Sequence, residues 1–233
     1  MIIQHWELAG AEADRLFSPN CWRVRMALAH KGLPSETVPW RFTEKDAIAF
    51  SGQGLVPVIK DGDREVHDSW TIAVYLDEAY PDRPLLFDSG QARSLAFFFK
   101  QWCERGVHGA MFRVIAADLF ASLHEKDKPY FRESREKRFG KSIEELGAES
   151  GAALPILRAA FDPVRPLLAV QPFVSGSKAS FADYILFGPF MWARAVSPVA
   201  LLDVDDPMHA WRERMLDLFD GMPRRTRGYP VKV

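Results

Sequence analysis

The sequence predicts a small α/β sheet domain followed by an all-helical domain. Three observations predict it. Every strand-like stretch falls before residue 85, interleaved with capped helical patterns. After Phe87 the strand signals disappear and helical periodicity runs to the end of the chain. Between the two regimes, Pro81-Asp82-Arg83-Pro84 halts a helix ahead of an apolar linker, Leu85-Leu86-Phe87. The boundary therefore falls near residues 81–88, giving domains 1–84 and 85–233, and 233 residues provide ample core for both.

Ile2–Leu8 is apolar and β-branched, a first strand. Ser18 then caps a helix, because its hydroxyl can accept from an orphan N–H of the first turn. Pro19 suits the first helical position, where its missing N–H costs nothing. The helix runs through Lys31 and stops at Gly32. Ser35–Trp40 is a second strand and Thr43–Phe50 is weakly helical. Leu55–Lys60 is a strand carrying Pro57, Asp61-Gly62-Asp63 is a hairpin turn, and Arg64–His67 is the returning strand. Asp68-Ser69 opens a helix over Trp70–Tyr80.

In the second domain, Ser89–Leu123 reads as one long helix rich in aromatic residues, and Lys126–Arg138 as a charged, solvated stretch. Ser142–Val170 is helical, with Pro155, Pro163 and Pro166 placed at helix starts or kinks. Ser180–Asp183 has the spacing of a capping box, with Asp in the usual Glu position. It opens Tyr184–Val196, which Pro189 is expected to interrupt. Asp206–Phe219 is a last helix, and Pro223–Val233 a basic irregular tail.

Composition narrows the function. Thirty Lys+Arg against thirty-one Asp+Glu give no sign of a nucleic-acid partner. No apolar run spans a bilayer and the N-terminus lacks a signal-peptide pattern, so a reducing cytoplasm is the expected location and no membrane partner is expected. Two cysteines, Cys21 and Cys103, make no disulfide framework. The six histidines show no metal-ligand spacing, and Gly52-Gln53-Gly54 lacks the rest of a dinucleotide fingerprint. Seventeen Phe and seven Trp supply either a bulky core or an apolar pocket.

The stretch with most chemical content is the start of the first helix. A helix N-terminus carries unpaired N–H groups and about half a positive charge, which stabilise a sulfur anion, and a hydroxyl at the cap can donate to the same anion. The plain reading of Ser18-Pro19 is a cap and nothing more.

Four marks in order give these residues a family likeness: Ser18-Pro19-Asn20-Cys21-Trp22-Arg23-Val24-Arg25, Val56-Pro57, Asp68-Ser69, and the cap at Ser180–Asp183. With them the chain resembles the soluble glutathione transferases over essentially its whole length. The turn is similar to the serine-type turn of the zeta and related classes. Asp68–Pro84, with Ser18-Pro19, Trp22-Arg23 and Ala182-Asp183-Tyr184-Ile185, resembles the bacterial glutathione-dependent β-aryl etherases.

The resemblance implies a thioredoxin-like N-terminal domain that binds glutathione as cosubstrate, an all-α domain that receives a small hydrophobic electrophile, and a homodimer. It implies thiol activation for attack on such electrophiles, β-aryl ether cleavage among them. Ser18 would act at sulfur, and Asn20 is a candidate second donor there, beside the reading that it packs the turn. Val56 would pair with the cysteinyl unit as an added strand does, across a cis bond to Pro57. Asp68 and Ser69 would hold the γ-glutamyl end at a helix start. Arg41 and Lys45 are candidates for the glycyl carboxylate, beside the reading that they are simply solvated. Phe98, Trp102, Arg105, His108 and Phe112, at helical spacing, are candidates for the electrophile site, beside the reading that they are core. Two alternatives stay open: thiol–disulfide exchange through Cys21, for which packing is the favoured role, and a non-catalytic binding protein for glutathione or hydrophobic ligands.

Overall fold

The computed structural model describes residues 2–231. The N-terminal part holds β1 (Ile3–Leu8), α1 (Pro19–His30), β2 (Ser35–Trp40), a 3₁₀ segment (Lys45–Ser51), β3 (Val58–Asp61), β4 (Arg64–His67) and α2 (Ser69–Ala79). The strands form one sheet in the order β2-β1-β3-β4. β1 runs parallel to β2, and β3 and β4 are antiparallel to their neighbours. β1 is buried almost throughout, as a central strand must be. This is the thioredoxin-like arrangement, with the helical domain following it.

One detail differs from the sequence reading. Pro57 lies outside the ladder: β3 begins at Val58, where pairing with β1 also begins. A proline cannot donate to a ladder, so the strand starts after it. The Val56-Pro57 bond is cis. The hairpin turn is as expected, with Gly62 at φ +60, a conformation that glycine adopts without a Cβ clash.

The remainder is helical: α3 (Gly90–Trp102), α4 (His108–Ser122), α5 (Lys128–Phe139), α6 (Ile143–Ala148), α7 (Ser150–Ala160), α8 (Arg165–Val170), α9 (Phe181–Val196) and α10 (Met208–Arg225). The expected long helix over Ser89–Leu123 is divided by a π turn at Cys103–Val107. The stretch Lys126–Arg138, expected to be charged and mostly solvated, is largely helix α5, with Phe131 buried at 1% exposure. Pro166 sits in the first turn of α8, as expected, but Pro155 lies inside α7.

Pro189 does not interrupt α9, which runs unbroken with fourteen of its sixteen residues buried. Packing on all sides outweighs one missing hydrogen bond. The last helix breaks at Leu218–Gly221, and Pro223–Arg225 are helical again, so the irregular tail begins only at Thr226. Lys232 and Val233 of that expected tail lie outside the described residues. No helix among the described residues is long and apolar enough to cross a membrane.

α9 is the part of the second domain that positions α1. Gly188 faces the start of α1 so closely that an added Cβ would sit 2.4 Å from Pro19 O. The linker is pinned from both sides of the boundary. Buried Lys31 donates to Asp77 Oδ1 (2.7 Å) and Pro84 O (3.1 Å). Asp77 also accepts from Leu86 N and Phe87 N. His30 bridges Tyr184 Oη of α9 (2.6 Å) and Leu85 O (3.0 Å).

Candidate active site

Ser18 caps α1. Its Oγ accepts from Cys21 N at 3.2 Å, and the residue is 6% exposed at the wall of a cavity of about 310 Å³ between the two domains. With that lone pair engaged, the hydroxyl hydrogen remains available to an acceptor in the cavity. The first turn of α1 carries no acidic residue, so nothing internal neutralises its positive end. Asn20 lines the same cavity, and its Oδ1 is buried without a hydrogen-bond partner among the described residues.

Cys21, in the same turn, faces the other way. It is 1% exposed and its Sγ lies 4.0 Å from Trp6 O. Burial, reinforced by the charge of Glu7, pushes its thiol up to about 12. Cys21 is a packing residue, the role the sequence favoured, and its surroundings give the thiol–disulfide alternative no support. Cys103 is likewise pushed up to about 12 by burial.

One residue of the turn has a role that the sequence did not disclose. Arg23 is fully buried. Its Nη1 donates to Glu104 Oε1 (2.9 Å) and reaches Ser69 Oγ (3.5 Å), and its Nη2 lies 3.3 Å from His108 Nε2. It therefore joins the start of α2 to the π turn and the start of α4 across the domain boundary. A guanidinium offers only donors, so His108 Nε2 accepts and the neutral ring keeps its proton on Nδ1. Burial, with Arg23 alongside, pulls the His108 pKa down to about 3. Glu104 also takes Lys100 Nζ at 2.8 Å.

Asp68 caps α2 with its Oδ1, which accepts from Trp70 N (3.1 Å) and Thr71 N (3.0 Å). It does so at φ +69, a conformation costly for a residue with a Cβ. Asp68 is exposed and Ser69 buried. Val56 sits just before β3 and pairs with no strand among the described residues. Val56, Pro57, Asp68 and Ser69 do not line the cavity beside Ser18.

Of the five candidates for the second pocket, only His108 and Phe112 line the cavity. Phe98 is 64% exposed and Arg105 points to solvent, bonded to Gln101. The π turn adds a residue to one turn of helix, so the i, i+4 register before it does not continue after it. The opposite wall comes from α5 and α9, through Phe131, Arg135, Phe139 and Trp192. Phe112 stacks on Phe139 with ring centroids 4.4 Å apart. The i, i+4, i+8 spacing of Phe131, Arg135 and Phe139 was the available signal for α5, masked by the charges around it.

Arg41 and Lys45 are partly buried and held by backbone carbonyls. Arg41 donates to Gly10 O (3.0 Å) and Ala11 O (3.1 Å). Lys45 donates to Gly54 O and lies 4.9 Å from the Trp40 ring centroid.

Comparison with known proteins places this geometry. A family model described as "Glutathione S-transferase, N-terminal domain" matches residues 14–84, and one described as "Glutathione S-transferase, C-terminal domain" matches residues 94–217. The chain is 44% identical over 87 residues to Glutathione S-transferase Z1 of Arabidopsis thaliana, a match that covers 34% of this chain and only 39% of that one. It is 27% identical over 210 residues to Probable glutathione S-transferase GSTU6 of Oryza sativa subsp. japonica, covering 84% of this chain and 80% of the relative. Among solved structures, a glutathione S-transferase of Ceriporiopsis subvermispora in complex with glutathione superposes with a TM-score of 0.82 at 26% identity, covering 94% of this chain and 97% of that one.

Proposed function

The chain belongs to the glutathione S-transferase family, and we propose that it is a glutathione transferase in which Ser18 stabilises the glutathione thiolate for attack on a small aromatic electrophile. The observation that carries this reading is the position of Ser18. Its hydroxyl stands at an uncompensated helix N-terminus on the wall of a cavity lined by aromatic rings. Sulfur placed there loses its proton more readily, because N–H dipoles and the Ser18 hydroxyl face the anion. Serine is a hydrogen-bond donor in this scheme and forms no covalent intermediate. Asn20 sits one residue into the helix and offers a second polar contact.

Glutathione lies along residues 1–84. Val56, free of strand pairing, meets its cysteinyl unit, and Asp68 and Ser69 hold its γ-glutamyl end at the start of α2. The complex in the Ceriporiopsis subvermispora relative supports glutathione as the cosubstrate. Residues 85–233 supply the electrophile side, and the aromatic walls suit aryl substrates, β-aryl ethers among them. The serine-type, zeta-like assignment rests on the Ser18-Pro19-Asn20-Cys21-Trp22-Arg23-Val24-Arg25 turn. Exposed Phe50, Leu55, Leu95, Phe97 and Phe98 support pairing of two copies, and two unpaired cysteines suit a reducing cytoplasm.

The test is Ser18→Ala assayed with glutathione and 1-chloro-2,4-dinitrobenzene. The value of kcat/KM should fall about 10²-fold, as for loss of one donor to a developing anion, while calorimetry shows glutathione still bound. Unchanged turnover defeats the role given to Ser18.

A further inference from the structure

The cavity beside Ser18 carries two arginines, Arg135 and Arg138, that no ion pair among the described residues answers. Arg135 projects into it from α5, partly buried. Its polar contact is with the neighbouring Ser134 Oγ at 3.0 Å, and its guanidinium lies over Phe131 (5.0 Å) and Phe42 (5.6 Å). Arg138 lines the same cavity one turn on, over Phe139 at 5.6 Å. Among the described residues, neither takes part in an ion pair.

Arg132, one turn earlier on the helix, is placed differently. Arg132 faces outward and binds both Glu136 (2.8 Å) and Glu144 (2.7 Å), so these two carboxylates are engaged away from the cavity. Inside the cavity, Glu104 is held by Arg23 and Lys100, and His108 is neutral. Desolvation disfavours the charged form of Arg135, yet a guanidinium stays protonated and keeps its need for an acceptor. A cation held between aromatic rings, with donors open to a ligand-sized space, is a receptor for a planar carboxylate.

We propose that Arg135, assisted by Arg138, receives a carboxylate carried by the aromatic electrophile, so that the preferred substrates are aryl acids and not neutral arenes. This deepens the transferase reading of the same cavity and rests on it. The aromatic walls take the ring, the two guanidiniums take the acid, and the reactive carbon is left toward Ser18. Glutathione's own glycyl carboxylate is the other source of this chemistry, and the experiment separates the two.

The experiment compares 4-chloro-3-nitrobenzoate with 4-chloro-3-nitrobenzamide as electrophiles, and the unreactive 4-methyl-3-nitrobenzoate with its amide as calorimetric ligands. The wild-type protein, R135Q and R135K are each also titrated with glutathione. The wild type should favour the acid over the amide about tenfold, the size expected of one charge-assisted hydrogen-bonded pair, and the preference should appear in KM and in calorimetric affinity. R135Q should lose the preference, and R135K, which keeps the charge, should retain part of it, with circular dichroism confirming that both are folded. Equal handling of acid and amide by the wild type, or a preference that R135Q retains, overturns the proposal. A tenfold loss of glutathione affinity in R135Q assigns the cation to glutathione and overturns it also. Calorimetric preference for the acid without turnover of either electrophile defeats the transferase reading while supporting the carboxylate site.

Discussion

Two serine-capped helices meet in this molecule, and their starts are used in opposite ways. At α9 the positive end is filled from within. Asp183 is fully buried and accepts from Val174 N (2.7 Å), Ser175 N (3.2 Å), Ser180 N (3.2 Å) and Trp211 Nε1 (3.0 Å). At α1 no acidic residue enters the first turn, Ser18 stands alone, and the space in front of it is a cavity. The two ends have the same backbone dipole. They differ in whether the chain supplies its own anion, and so one start is a structural joint and the other opens on a cavity. The two are also in physical contact, because Gly188 of α9 rests on Pro19.

The largest effect should come from the filled start. Asp183→Ala leaves several buried donors without an acceptor and should cost about 3–5 kcal/mol, read as a lower urea midpoint. A loss below about 1 kcal/mol would erase the distinction between the two helix starts. Asp183→Asn, which keeps an acceptor, should recover part of the loss. The Gly188 contact comes next. Gly188→Ala drives a methyl into a backbone carbonyl and should cost about 1–3 kcal/mol. It should also lower kcat/KM, since the shift falls on α1 at Pro19.

The empty start should behave differently from Asp183. Ser18→Ala should cost only about 1 kcal/mol of stability, the value of a cap, while activity falls far more. A stability loss as large as that of Asp183→Ala would mean that Ser18 is chiefly structural. The last effect concerns acid, and it is small within any one pH unit. The unfolded His108 titrates near 6.5 and the folded one near 3, so between those values the unfolded chain binds more protons. The stabilisation is complete above pH 6.5 and declines as the pH falls toward 3. His108→Gln, which can still accept from Arg23, should flatten that slope by on the order of 1 kcal/mol per pH unit or less. Urea midpoints measured from pH 7 to pH 4 would show it, and parallel curves for the two proteins would contradict the neutral-imidazole assignment.

Local signals were read well from the chain alone. The Ser18 cap, the glycine after α1, the Asp61-Gly62 hairpin and the Asp68 cap all rest on interactions within a few residues, so neighbouring letters suffice to specify them. The cavity was read less well. Its Ser18 face was legible, but Phe98, Trp102 and Arg105 were drawn into it by a helical register that the π turn breaks. Helix α5 was passed over because its charges concealed the spacing of Phe131, Arg135 and Phe139. No neighbouring letter marks Arg23 as buried, although it lies at the centre of the domain junction.

By itself the sequence determined the order of elements, the place where sheet gives way to helices, and the caps that expose or fill each helix end. These follow from backbone hydrogen bonding and apolar periodicity, which act over one or two turns. Only the tertiary structure decided which side of α1 meets the cavity, burying Cys21 and presenting Ser18, and which charges find partners. Those outcomes depend on segments such as α1, α5 and α9 that lie far apart along the chain. Burial and pairing are properties of the space between elements and are not carried by any one stretch of residues.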